Sequence, residues 1–166
     1  MLECASMKCS IVLLPLLMSV SILVHGQQSA KPNLSGTWVF DAQKSLLQDP
    51  PPTSMTFQID QHDPHVRLSR TQVYGGKSDT WTLDTVTDGQ KEVVQHLALY
   101  TTHTRMYWDG DALVLDEKIT ASDGSKATNT VKYSLADDGK TLLGIETAVT
   151  PVGKATNKWV YEKQAQ

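Results

Sequence analysis

Two close histidines, a few charges on otherwise apolar strand faces, and four tryptophans are the residues of this chain that could do chemistry. His62-Asp63-Pro64-His65 sets two imidazoles around a carboxylate. That spacing could give zinc two or three ligands, with His96 or His103 completing the set. The same four residues also make a turn for reasons of their own, because proline fixes φ and aspartate caps a bend with its carboxylate. Zinc ligands sit on rigid elements backed by supporting partners. The turn reading is therefore preferred, and no metal is expected. Enzyme signatures are missing: there is no Gly-x-Ser-x-Gly elbow, no glycine-rich phosphate loop and, beyond Cys4 and Cys9, no thiol. Asp116 and Glu117 are neighbours on a strand, so they point to opposite faces and cannot act on one bond. No catalytic residue and no cofactor is expected.

The charges are more informative. Arg70 follows Val66 and Leu68 in alternation, Glu117 lies between Leu115 and Ile119, and Asn129 lies between Ala127 and Val131. Each shares the phase of apolar neighbours, which is the phase of a buried face. Unpaired charges are rarely buried. Arg70 and Glu117 are thus expected either to pair or to line a wet pocket, unless each reaches solvent at a strand end. Trp81, Trp108 and Tyr133 share that phase. The candidate ligand-binding set is Arg70, Trp81, Trp108, Glu117, Asn129 and Tyr133, with the aromatics giving apolar contact and the polar groups orientation. Trp38, after Gly36 in the first strand, is read as a plug at one end of the core.

These side chains need strands to position them. Helical periodicity is weak and confined to 41–47 and 91–100, whereas eighteen threonines, with valines and tyrosines, suit a pleated surface. Apolar and polar residues alternate over 55–60, 81–84, 127–135 and 157–162. Asp88-Gly89, Asp109-Gly110, Asp123-Gly124 and Asp138-Gly139 supply the positive φ of tight turns, and Gly75-Gly76 reads as another. Strands are expected near 36–41, 54–61, 65–73, 78–85, 92–98, 102–108, 111–120, 126–135, 141–149 and 155–162. The fold class is all-β: an up-and-down antiparallel meander closing into a lipocalin-like barrel of about 8–10 strands, since closure removes sheet edges. Between Ala42 and Thr53, Pro50-Pro51-Pro52 forbids a ladder and marks a crossing loop with room for one helical turn.

Residues 1–26 stand apart. Lys8 precedes the apolar run from Cys9 to Val24, and Val24-His25-Gly26 ends it with residues of modest size. This is the pattern of a secretory signal peptide, with cleavage expected after Gly26. Residues 27–166 are expected to form one domain, periplasmic or extracellular. Both cysteines belong to the leader, so that domain must hold together without disulfides. The leader carries one acid and one base, leaving the formal charge at −3. Charges are scattered with no basic stripe, which excludes nucleic acid and, after cleavage, anionic membrane surfaces as expected partners. A monomer is expected. Asn33-Leu34-Ser35 fits a glycosylation sequon.

Asn33-Leu34-Ser35-Gly36-Thr37-Trp38 with Asp41 and Lys44-Ser45, the Pro-rich loop, His62-Asp63-Pro64, Trp108-Asp109-Gly110-Asp111, Asp138-Gly139-Lys140-Thr141-Leu142 and Val160-Tyr161-Glu162-Lys163 occur in a distinctive order. Together they resemble small exported bacterial proteins with a lipocalin-like, calycin-type barrel, across nearly all of 32–163. The resemblance implies fold and compartment. The expected function is a non-catalytic exported barrel that holds a small hydrophobic or amphipathic ligand. The alternative is a barrel with a filled core that acts through its outer surface. Inward residues such as Met55, Phe57, Ile59 and Leu113 are bulky while Ala127 and Gly144 are small, so the sequence leaves both open.

Overall fold

The structure is a computed structural model that describes residues 30–165. The expected leader and its cleavage position lie outside the described residues. Ten strands follow in chain order: β1 (Gly36–Phe40), β2 (Ser54–His62), β3 (His65–Tyr74), β4 (Lys77–Val86), β5 (Val93–His96), β6 (Tyr100–Asp109), β7 (Ala112–Ala121), β8 (Lys126–Leu135), β9 (Thr141–Thr150) and β10 (Gly153–Lys163). They form one antiparallel sheet in the order β4-β3-β2-β1-β10-β9-β8-β7-β6-β5. Every neighbour in that sheet is a neighbour in sequence except β1 and β10, whose pairing (Trp38↔Lys163, Phe40↔Tyr161) wraps the meander round. The result is a nearly closed barrel with one seam, between β4 and β5.

Turn chemistry sets the register. The β3–β4 hairpin turns on Gly75 and Gly76, both at positive φ (53° and 76°), which a two-residue turn matching strand twist requires. Asp123 and Asp138 accept from the backbone N–H groups of Ser125 and of Lys140 and Thr141, and these donors hold both carboxyls below their ordinary value. Asp88-Gly89 is different: it lies in the longer β4–β5 connection, where Gly89 N–H donates to Met106 C=O at 2.9 Å. The β5–β6 turn is made by Leu97-Ala98-Leu99, closed by Leu97 N–H donating to Tyr100 C=O at 2.9 Å. Residues 41–53 form the crossing loop without a helix. It runs beside β10 through a bridge between Leu46 and Lys158.

Inward positions change character along the barrel axis. The end that carries the β2–β3 and β6–β7 turns is filled: Trp38, Phe57, Leu68, Leu83, Met106 and Leu113 are each 0–1% exposed. Trp38 is a plug, with its indole N–H donating to Leu34 C=O at 2.9 Å. Burying each such side chain stabilises the fold by about 1.5–3 kcal/mol, and this floor is the domain's substitute for disulfides. Toward the other end the same inward phase is occupied by Arg70, Thr102, Glu117, Asn129 and Glu146.

Candidate functional site

The polar inward residues surround a cavity of about 200 Å³ in the half of the barrel away from the floor. Register explains how they meet. Arg70 on β3 lies opposite Trp81 on β4. Glu117 on β7 lies opposite Asn129 on β8, Asn129 opposite Ala148, and Tyr133 opposite Gly144 on β9. Gly144 is small for a reason, since an added Cβ would meet the Tyr133 ring at 3.3 Å and Trp159 at 3.4 Å. The missing side chain lets the Tyr133 ring lie against β9, and that ring in turn packs on Phe57 with ring centroids 5.2 Å apart.

Five of the six residues singled out from the sequence line this cavity: Arg70, Trp81, Glu117, Asn129 and Tyr133. Trp108 does not. It has the inward phase but lies near the far end of β6, by the floor, where its indole N–H donates to Asp63 Oδ1 at 3.1 Å and Lys31 lies 5.8 Å from the ring centroid. Alternation fixes the face of a residue and not its height along the barrel. Arg70 and Glu117 form no ion pair within 4.0 Å among the described residues; they line one pocket instead.

Sequence reasoning missed Glu146, Thr102, Tyr100 and Tyr161 as lining residues, along with Gln95 at the seam. Glu146 had a usable signal, because it continues the inward phase of Leu142 and Gly144. Its Oε2 accepts from Asn157 Nδ2 and Trp159 Nε1, both at 2.8 Å. Glu117 Oε1 accepts from Thr104 Oγ1 at 3.2 Å. Burial pushes the Glu117 carboxyl above its ordinary value, and Thr104, Arg70 and Asn129 pull the other way. Burial also pushes the Tyr133 hydroxyl up to about 12 and that of Tyr161 well above its ordinary range, so both stay neutral donors.

Three of the lining residues each carry a buried polar atom without a partner. Arg70 Nε, Thr102 Oγ1 and Asn129 Oδ1 are buried and make no hydrogen bond within the described chain. Such atoms are uncommon, because each costs about 1–3 kcal/mol relative to a satisfied group. The Arg70 guanidinium lies 5.6 Å from the Trp81 ring centroid, a cation–π arrangement that holds it in place.

The seam beside the cavity is bridged by one side chain. Gln95 on β5 accepts from Trp81 Nε1 at 3.0 Å and donates through Nε2 to Thr82 C=O on β4 at 2.9 Å. It stands in for the backbone ladder that β4 and β5 do not form. Elsewhere, His62 contacts Asp60 at 3.0 Å on the exposed surface, and no group of three or more His, Cys, Asp or Glu side chains that could hold a metal occurs among the described residues.

No protein-family model and no curated protein matches the chain. Solved structures do match its fold. Zebrafish ileal bile acid-binding protein, complexed with cholic acid, superposes with a TM-score of 0.52 at 16% identity over 78% of this chain and 98% of its own. A secretory abundant heat soluble protein from Ramazzottius varieornatus gives 0.57 at 14% identity, over 82% and 98%. A point mutant of the fluorescent protein UnaG gives 0.50 at 16%, over 80% and 97%. The shared feature is the lipocalin-like, calycin-type barrel.

Proposed function

We propose that this chain is a non-catalytic, exported binding barrel that holds one small amphipathic molecule in the polar half of its interior. The observation that carries this reading is the cavity itself, a space lined by two tryptophans and three tyrosines together with the polar side chains of Arg70, Thr102, Glu117, Asn129 and Glu146. Binding sites of small molecules combine apolar walls with a few polar groups that set orientation. A similar fold binds bile acid in the zebrafish protein, which supports the class of function and not the ligand. Export rests on the basic, apolar and small-residue succession of residues 8–26.

Native mass spectrometry of protein recovered from its own host tests both parts. The expected result is a mature chain beginning at Gln27 with a small molecule bound. Recovery of only full-length, ligand-free protein from the cytoplasm contradicts export. For binding, an apolar fluorescent probe should shift tryptophan emission in the wild type and lose affinity in a folded Trp81→Ala, Arg70→Ala double variant. Equal binding to both proteins contradicts a site in this cavity and favours the alternative, a protein that acts through its outer surface.

A further inference from the structure

We infer that the ligand is a compact zwitterion, a molecule bearing a carboxylate and an ammonium group on a small apolar body, as in an α-amino acid. The inference rests on the binding reading above and deepens it. Size comes first. A cavity of about 200 Å³ lies below the roughly 300–1,000 Å³ of sites for drug-sized ligands, while an engineered cavity of roughly 150 Å³ holds a benzene ring. The space suits one ring or a short branched chain, not a lipid tail or a sterol.

Charge comes second. The cavity contains one guanidinium, Arg70, and two carboxyl groups, Glu117 and Glu146. Arg70 has no ion-pair partner within 4.0 Å among the described residues, and its buried Nε has no acceptor. A carboxylate is the planar anion that a guanidinium fork matches. A ligand that is only an anion would also face Glu117 and Glu146, and one that is only a cation would face Arg70. Each arrangement puts like charges together in a partly desolvated space, where their interaction is strongest. A zwitterion meets both signs.

The lining residues agree in kind. The Arg70 guanidinium donates, the Asn129 side-chain amide offers both a donor and an acceptor, and the Thr102 hydroxyl can serve as either. Glu117 and Glu146 each have one carboxyl oxygen engaged by the protein, and both carboxyl groups belong to the lining that an ammonium would meet. Trp81, Trp159 and Tyr133 supply the apolar wall.

Calorimetry on the full-chain protein tests this with three probes that share a phenyl group on a two-carbon chain, L-phenylalanine, 3-phenylpropionate and phenethylamine, and with dodecanoate as a fourth. L-phenylalanine should bind at least about tenfold more tightly than either single-charge analogue, as loss of one charge-assisted hydrogen bond implies. In Arg70→Gln the preference over phenethylamine should disappear while phenethylamine binds as well as before or better, a change of selectivity that misfolding cannot imitate. If 3-phenylpropionate or dodecanoate binds as tightly as L-phenylalanine, the zwitterion inference is overturned and the binding barrel stands. If none of the four binds, the inference is overturned, and the barrel reading falls with it when the apolar probe also fails.

Discussion

At the scale of single residues, Glu117 is where the physics of the cavity is most exposed to measurement. Burial raises its folded-state value, so the folded chain holds that proton more tightly than the unfolded chain does. The stability this contributes is fully present below the ordinary carboxyl value and is lost as pH rises from there through the raised value. Glu117→Gln removes the loss. Thermal denaturation should give the variant a melting temperature that exceeds the wild type's by a margin growing from about pH 4 toward neutrality. Arg70, Glu146, Tyr100, Tyr133 and Tyr161 face the same space in both proteins, so the difference between the curves isolates Glu117. A margin that stays flat or shrinks with pH would contradict its burial in the charged form. The floor makes a second residue-scale prediction. Trp38 is fully buried and its indole N–H is satisfied, so Trp38→Ala should cost about 3–5 kcal/mol in urea denaturation.

At the scale of elements, the seam between β4 and β5 is the weak line of the sheet, and Gln95 is its bridge. Replacing it with alanine leaves the Thr82 carbonyl and the Trp81 indole without their partners. Each hydrogen bond contributes a net ~0.5–1.5 kcal/mol and two are lost, so local opening of β5 should become roughly 5–150-fold more frequent. Amide hydrogen exchange checks this: β5 should speed up in Gln95→Ala while β9, paired on both sides, does not. Ten strands were legible from period-two alternation and from glycine-bearing turns, and every boundary fell within two residues of that expected. The least legible stretch has a physical cause. Leu97-Ala98-Leu99 turns the chain without glycine, proline, asparagine or aspartate, so 90–108 carries no turn signal, and β6 begins at Tyr100 rather than 102. The site was legible in part for a related reason. Phase put Arg70, Trp81, Glu117, Asn129 and Tyr133 inside, but the same phase put Trp108 in the set. Only the stagger of strands around the barrel separates the floor from the cavity. Gln95 had no signal, because its role exists only where the barrel fails to close.

At the scale of the whole molecule, two halves of one interior divide the work. The floor is apolar and filled and gives the domain its stability, with no cysteine anywhere in residues 30–165. Far-ultraviolet circular dichroism should therefore show a strand-dominated spectrum, and the melting transition should not move on addition of a reducing agent. The other half gives up apolar packing for polar groups that the chain itself leaves unpartnered. The four tryptophans sample both halves: Trp38 and Trp108 at the floor, Trp81 and Trp159 in the cavity wall. The indole N–H resonances of ¹⁵N-labelled protein, followed while L-phenylalanine or the apolar probe is added, are the most direct test that the polar half is the binding site. The signals of Trp81 and Trp159 should shift in a saturable way while those of Trp38 and Trp108 stay in place. Shifts confined to Trp108 and Trp38, or no saturable shift with either compound, would contradict the account.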